Sequence, residues 1–369
     1  MRAFTVFATL GFLVGPTVSS VAEGQQERRI PDDATCTTCR IELRHITTLT
    51  SQKAPDADGR PFAIVRQSRA GRYVVLAGDL ILYAYDSAGR NARTIGRRGR
   101  GLNEFQLPVR LFSSLLDTLL VIDPAASRLT VLGPDGTIVQ TLPFLSARPF
   151  DAVSLPDGRV LLNAVVRDRD HVGYPLHVVT RDGRIERSFG ADRPDYVYNA
   201  PPLWRRRLTE ARHTAVWTAR ELEYVLEQWA PATGERLSAL RRISEWFPAV
   251  QDSFTVPTPT VPPPTYVADI LETSDSLLWI AAAVPDPRWF SGLGPPERDE
   301  AGRVTYRPSD YRKLYDSMIE IIAPETGVVL VSQRLDDYVW GFVGDQHLAT
   351  FRETGQSVFI DIHLMSLIR

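Results

Sequence analysis

The chain has 369 residues, of which 44% are hydrophobic and 23% are charged, the composition of an ordinary globular protein with a sizeable core. Its formal net charge of −2 gives no reason to expect a nucleic acid as partner. The length would suit two average domains, but a closed all-β architecture of this length is also known as one domain. Only Lys53 and Lys313 are lysines among the 42 basic residues, and the arginine bias runs through the whole chain.

The first residues predict a secretory signal peptide. Arg2 precedes an apolar run over residues 3–14, and Ser20 and Ala22 supply the small residues of a cleavage site. The run is too short to cross a bilayer, which takes about 20 apolar residues. We therefore expect residues 1–22 to be removed near Ala22, leaving a secreted or periplasmic protein without stable membrane insertion. A retained signal anchor is the alternative.

Cys36 and Cys39 are the only cysteines, and they follow the pattern Cys-Thr-Thr-Cys. In an exported protein such a pair predicts a local disulfide. Arg40 stands where c-type haem attachment requires His, and no second pair exists to complete a zinc site. Redox chemistry or an intermolecular metal site is the alternative. We assign no metal ligand and expect no cofactor.

A recurrent hairpin unit follows along the chain. Each copy holds two apolar, β-branched runs, a turn that contains Gly, and a third short alternating run. The second strands of the successive copies begin near Tyr73, Leu119, Val160, Thr214, Leu277 and His347, which are 46, 41, 54, 63 and 70 residues apart. A period in the forties that lengthens by insertion is typical of four-stranded propeller blades.

The repeat count predicts an all-β fold, a six-bladed β-propeller of four-stranded antiparallel blades. The sequence has no sustained helical spacing, which argues against an all-α fold. It has no amphipathic helix between the strand runs, which argues against a Rossmann-like fold. The last copy lacks its outer strand, and residues 41–49 can supply it, which closes the ring and leaves no free sheet edge. We expect a segment with the cysteine pair over residues 23–40 and the propeller over residues 41–369.

The most conspicuous local motif is GRRGRGLNEF, residues 96–105. It lacks the Lys-Ser/Thr and the following helix of a phosphate-binding loop, and it has no aromatic platform for nucleic acid. With Phe105 and Pro108 it looks like the inter-blade signature of NHL-type six-bladed propellers. The resemblance implies that the glycines let the chain cross between blades while Phe105 and Pro108 wedge between them. Such propellers include binding scaffolds and a few enzymes.

A second basic cluster consists of Trp204, Arg205, Arg206 and Arg207, with Tyr196 and Tyr198 nearby. Aromatic and arginine side chains are enriched at binding surfaces, so these four residues are the predicted binding site. They fall in a long connection between copies.

Two further segments interrupt the repeat: a proline-rich stretch over residues 253–266, predicted to be a stiff strap, and an insertion over residues 285–312 whose role the sequence leaves open.

An enzyme is the alternative to a binding module. Propeller lactonases and sugar-acid hydrolases hold a divalent metal at the channel mouth, and candidates here are Asp151, Asn163, Asp269 and Glu272. The six histidines lack any His-x-His or His-x-x-x-His spacing: His45, His171, His177, His213, His347 and His363. His45 and His363 fall in neighbouring strands of the closing blade, which indicates packing. We assign no catalytic residue.

The sequence therefore favours an exported binding or scaffold module that presents loops and a channel mouth to a protein, peptide or glycan. The competing hypothesis is a metal-dependent hydrolase or lactonase that acts at the channel.

Overall fold

The computed structural model describes residues 27–52, 63–67, 71–90, 93–101, 104–114, 118–144, 147–191, 205–210, 214–248, 256–298, 302, 304–354 and 357–369. The predicted signal peptide lies outside the described residues, as do Tyr196, Tyr198, Trp204 and His213. The chain forms six antiparallel blades around a central channel, and the predicted six-bladed β-propeller is confirmed. The closer resemblance to NHL-type repeats stays a prediction.

The first three blades each have four strands, in the following order from the channel outwards. Blade 1 comprises Ala63–Gln67, Arg72–Leu76, Leu82–Tyr85 and Arg93–Ile95. Blade 2 comprises Arg110–Ser113, Leu119–Asp123, Arg128–Leu132 and Ile138–Pro143, and blade 3 comprises Ala147–Ser154, Val160–Val166, Leu176–Val179 and Ile185–Phe189. The second strands of blades 2 and 3 are buried along their whole length because they are covered on both faces by neighbouring blades.

The remaining blades follow the same order. Blade 4 comprises Arg206–Leu208, Val216–Arg220, Val225–Ala230 and Glu235–Arg242. Blade 5 comprises Tyr266–Glu272, Leu278–Pro285, Tyr315–Ala323 and Val328–Leu335, and blade 6 comprises Val339–Phe342, His347–Thr354, Ser357–Ile368 and Arg40–Gln52. The fourth strand of blade 6 thus comes from the N-terminal part of the chain.

This closing strand confirms the predicted origin of the outer strand of blade 6. Arg40–Gln52 runs antiparallel to Ser357–Ile368 along almost its whole length. Ile41 and Leu49 point into the core, where Leu49 is completely buried. His45 and His363 lie opposite each other with ring centroids 5.6 Å apart, so the predicted packing of this pair is confirmed. The ring is closed by hydrogen bonds between the two ends of the described chain.

The residues before the closing strand form an N-terminal strap, residues 27–39, that the sequence did not predict. Arg28–Ile30 adds a parallel strand to the outer edge of blade 4. Thr35 then donates its backbone N–H to the carbonyl of Val329 in blade 5, at 2.9 Å. The Cys36–Cys39 disulfide follows and is confirmed, with 5.3 Å between the Cα atoms. The strap therefore joins blades 4 and 5 before the chain enters blade 6.

The glycine- and arginine-rich motif lies between blades 1 and 2, as its resemblance implied. Phe105 is 2% exposed and packs among apolar side chains of both blades. Glu104 accepts hydrogen bonds from the Gly101 N–H and from Arg97 Nε, each at 2.7 Å, and these bonds lower the pKa of Glu104. At Gly99 the backbone has a φ of 156°, and a Cβ would collide with the Glu104 carboxylate. One arginine of the motif thus holds its turn.

The insertion in blade 5 separates Leu278–Pro285 from Tyr315–Ala323. It contains a 3-10 turn at Trp289–Gly292, a hairpin of Leu293–Arg298 with Val304–Pro308, and a one-turn helix α1 at Tyr311–Leu314. Trp289 packs on the core beside the channel, and its Nε1 donates to the carbonyl of Thr258 at 3.1 Å. This bond ties the proline-rich segment to the insertion.

No helix in the described part of the chain has the length and apolarity needed to cross a bilayer.

Candidate ligand-binding cavity

A cavity of about 640 Å³ occupies the central channel. Its wall combines the inner strands of all six blades with α1 of the insertion. Pockets that bind small molecules typically measure about 300–1,000 Å³. The side chains that line the wall divide into a charged arc on blades 2 to 5 and an aromatic arc on blades 5 and 6.

The charged arc consists of four residues at the same position of consecutive inner strands. Each is paired in register with the fourth residue of the second strand of its own blade. The four residues are Arg110, Asp151, Arg207 and Asp269, on blades 2, 3, 4 and 5. Their charges alternate in sign around the ring, and each is close enough to affect the others electrostatically.

The two carboxylates of the charged arc link neighbouring blades. Asp151 accepts from the backbone N–H of Leu208 in blade 4 at 3.0 Å, and Asp269 accepts from that of Phe342 in blade 6 at 2.7 Å. A Cβ on Gly341 would lie 2.5 Å from the Asp269 carboxylate, so glycine is needed for this close approach. Each carboxylate also accepts from the backbone N–H of the residue that follows it. The aspartates therefore hold the channel wall together.

Two arginines of the predicted binding site face the cavity and share one carboxylate. Arg207 lies 3.1 Å and Arg205 lies 3.4 Å from the buried Glu221. The guanidinium of Arg205 also lies over the ring of Phe150, 5.2 Å from its centroid. Electrostatic attraction from Glu221, Asp151 and Asp269 outweighs burial and raises the pKa of Arg207. Both arginines are thus fixed cations in the cavity wall.

Arg206 has a different environment from its two neighbours. Its side chain is 2% exposed and lies 3.5 Å from Glu227, inside blade 4. The long connection that contains the three arginines includes the inner strand of blade 4, Arg206–Leu208, which has a weak strand pattern in the sequence. Arg206 supports the blade, while Arg205 and Arg207 line the cavity.

Arg110 is the cation of the cavity that sequence reasoning missed. Its side chain faces the cavity, and within the described ranges its guanidinium has no hydrogen-bond or ion-pair partner. Burial lowers the pKa of Arg110, and the nearby Asp151 carboxylate partly offsets this effect. The Arg110 side chain is half-buried in the cavity wall, so its N–H groups remain accessible from the cavity. A single arginine in the apolar run around Leu111 gave no signal in the sequence.

The aromatic arc adjoins the charged arc at blade 5, where Tyr266 and Asp269 lie on the same strand. It consists of the five side chains of Tyr266, Tyr311, Tyr315, Tyr338 and Trp340. The four tyrosine rings form a connected cluster: the centroids of Tyr266 and Tyr315 are 5.6 Å apart, those of Tyr315 and Tyr338 are 5.8 Å apart, and those of Tyr311 and Tyr338 are 5.9 Å apart. The hydroxyl groups of Tyr266 and Tyr338 are hydrogen-bonded at 2.7 Å. Tyr311 comes from α1, so the insertion completes this wall.

Of the other candidates for a metal site, Asn163 is paired in register with Asp151, and Glu272 ends the inner strand that carries Asp269. Asn163 is fully buried, where it donates to the carbonyl of Pro175 at 2.9 Å and accepts from the Arg206 N–H at 2.8 Å. His177 is buried between Ser188 and the Ala164 carbonyl, and burial lowers its pKa to about 4. In the described part of the chain no group of three or more His, Cys, Asp or Glu residues is placed to hold a metal ion.

Asp269 gives the cavity a testable pH dependence. Burial and the neighbouring Asp151 carboxylate raise the pKa of Asp269 to about 6, above the value of about 3.9 for an unperturbed Asp. The folded chain therefore binds this proton more tightly than the unfolded chain. The resulting stabilisation is fully present below about pH 4 and is lost as the pH rises through about 6.

We expect the free energy of unfolding of the wild type to increase between about pH 7 and pH 5 relative to that of Asp269→Asn, which has no carboxyl to titrate. Urea denaturation of both proteins at both pH values measures the difference. The variant is expected to be less stable at either pH, since it loses one acceptor for a backbone N–H. An equal pH response in the two proteins would contradict the assignment.

Comparison with known proteins supports the fold and goes no further. No family model and no curated protein sequence matches the chain. A solved structure of a DUF4221 family member from Bacteroides vulgatus is similar, with a TM-score of 0.57 at 9% identity, covering 89% of this chain and 99% of that one. A protein described as exported, from Bacteroides fragilis, gives a TM-score of 0.53 at 11% identity, covering 92% and 98%. The chain is a six-bladed propeller of a fold that suits binding or scaffold modules.

Proposed function

We propose that the protein is an exported binding module whose central cavity holds a small organic anion. The observation that carries this proposal is the Arg110 guanidinium, which faces the cavity without a partner among the described residues. The other charges of the cavity wall already have partners: Arg205 and Arg207 contact Glu221, and the two aspartates accept from backbone N–H groups. The N–H groups of the Arg110 guanidinium are therefore available to an anionic ligand.

The shape of the cavity supports a small molecule as ligand. Its volume falls within the range of known ligand sites, and its wall combines a few polar groups with a set of aromatic rings. The charged groups lie on strands that are fixed by inter-blade hydrogen bonds, so the site is rigid before a ligand enters. A protein, peptide or glycan partner would reach the same cavity by inserting one end of its chain.

Export is supported by two features of the N-terminal region. The Cys36–Cys39 disulfide is of a kind that persists in oxidising compartments. The apolar run and small-residue site of residues 1–22 predict the cleaved signal.

The Arg110→Met variant tests the proposed function. A ligand anion is expected to lose a charge-assisted hydrogen bond worth about 2 kcal/mol, so its Kd should rise about 10- to 100-fold. Binding is measured by calorimetry, after a panel of organic carboxylates has been screened for ligands that raise the Tm of the wild type. Methionine keeps the apolar part of the side chain, and the variant should fold because the Arg110 guanidinium makes no hydrogen bond within the described part of the chain.

The matched control is Arg98→Met, since Arg98 is an exposed arginine of the glycine-rich motif outside the cavity. Its Kd should equal that of the wild type. Equal weakening by both variants, or no effect of Arg110→Met on any ligand found, would rule out Arg110 as the anion site.

A further inference from the structure

We infer that the anion is an acidic saccharide, bound through the carboxylate of a hexuronate unit. This inference rests on the proposed function, because it assumes that a ligand occupies the cavity and contacts Arg110. It adds the class of the ligand, argued from the groups that surround Arg110 and from what each of them requires.

Arg110 selects a planar anion. A guanidinium presents parallel N–H groups that match the two oxygens of a carboxylate, and such bidentate pairs are both strong and directional. The charged arc brings Asp151 and Asp269 within electrostatic range of Arg110. A compact ligand that binds Arg110 therefore also lies close to two acidic side chains, and a ligand carrying several negative charges would be repelled by them.

The aspartates require hydrogen-bond donors from the ligand. Each of their carboxylate oxygens accepts one backbone N–H in the structure, and a carboxylate oxygen has capacity for a second donor. A ligand that displaces water from the cavity must replace the hydrogen bonds that the water supplied. The hydroxyl groups of a sugar can donate to Asp151 and Asp269 while the carboxylate of the same sugar accepts from Arg110. An aryl carboxylate has no such donors and would leave the aspartates unsatisfied.

The aromatic arc suits the body of a sugar ring. One face of a pyranose consists of C–H groups and packs flat against an aromatic side chain, whose large apolar surface it covers. Tyr266 and Asp269 lie on the same inner strand, and Tyr266 is close enough to Arg207 to affect its pKa. The two arcs therefore meet at blade 5, so one small ligand can contact both. Trp340 and Tyr311 also line the cavity and offer further aromatic surface to a sugar ring.

Calorimetry with three classes of probe tests the inference. The probes are D-glucuronate and D-galacturonate with their short oligomers, the neutral sugars D-glucose and D-galactose, and benzoate as an aryl carboxylate. A uronate or its oligomer is expected to bind at least tenfold more tightly than the matching neutral sugar and than benzoate, since each rival lacks one class of contact.

Three variants separate the contributions to this preference. Arg110→Met should abolish the preference for a uronate over the neutral sugar, and Arg110→Lys should restore part of it. Trp340→Ala should weaken the uronate and the neutral sugar by a similar factor, because it removes ring contact and leaves the charge. Melting curves confirm that each variant is folded before its binding is measured.

The outcomes distinguish the inference from the proposed function. Benzoate bound in an Arg110-dependent manner, with no binding of any uronate, would overturn the saccharide and leave the anion site intact. A uronate whose affinity does not depend on Arg110 would also overturn the inference. No binding of any carboxylate in the panel would overturn both.

Discussion

A chain that begins at Lys53 is expected not to fold into a stable ring. It lacks Arg40–Gln52, which forms hydrogen bonds to Ser357–Ile368 along almost the whole length of both strands. Its loss removes Ile41 and Leu49 from two separate core clusters and exposes the outer edge of blade 6. The free energy of unfolding of a whole domain is only about 5–15 kcal/mol. The loss of a complete outer strand should remove most of this stability. The exposed edge should also promote aggregation.

Circular dichroism and thermal melting of the truncated chain measure this effect. The control is a chain that begins at Arg40, which lacks the N-terminal strap but keeps the closing strand, and it should still melt cooperatively. A synthetic peptide of residues 40–52, added in excess, should restore a cooperative transition, since it can pair with the open edge of blade 6. A truncated chain that melts within a few degrees of the control would show that the ring does not need this strand.

The replacement of Glu227 by Ala is expected to cost about 3–5 kcal/mol of stability. Glu227 is 1% exposed and is the carboxylate partner of three arginines. It lies 2.9 Å from Arg220 and 3.5 Å from both Arg206 and Arg236. These cations more than offset the effect of burial and lower the pKa of Glu227. Without Glu227, the buried Arg206 keeps its charge and loses its contact with this carboxylate.

Urea denaturation gives the free energy of unfolding of this variant. Glu235→Ala is the control, because Glu235 is an exposed residue of the same blade, and it should change stability by no more than about 0.5 kcal/mol. The double variant with Arg206→Met should be more stable than Glu227→Ala alone, since it also removes the buried positive charge that Glu227 neutralises. A cost below about 1 kcal/mol for Glu227→Ala would show that the pair contributes little.

The sequence was sufficient to predict the ring because each blade repeats its own local pattern. Alternating apolar runs and glycine turns recur in every copy, and the missing outer strand of the last copy had one available donor near the N-terminus. These signals are local in sequence, and the predicted strands must add up to six complete blades. The order of the strands in each blade follows from the antiparallel hairpins that connect them.

The cavity was harder to predict because its residues are brought together by register across blades. Asp151 and Asp269 were recognised as candidates, but their role as links between blades depends on N–H groups of Leu208 and Phe342, which are far away in sequence. Arg110 had no distinguishing neighbour in the sequence. Once the inner strands are aligned, all of these residues fall at one position, so an alignment of the blades by their second strands would have revealed the charged arc.

The closure of the ring also determines the order of events in folding. Thr48 and Asp361, which are hydrogen-bonded in blade 6, lie 313 positions apart in the chain. The closing strand is synthesised early and its partner last, so it must wait unpaired until the rest of the propeller exists. Contacts of such long range make folding slow, and an unpaired strand is open to incorrect partners in the meantime. The N-terminal strap can limit such incorrect pairing. Its parallel pairing with blade 4 holds the closing strand near its final position before blade 6 is complete.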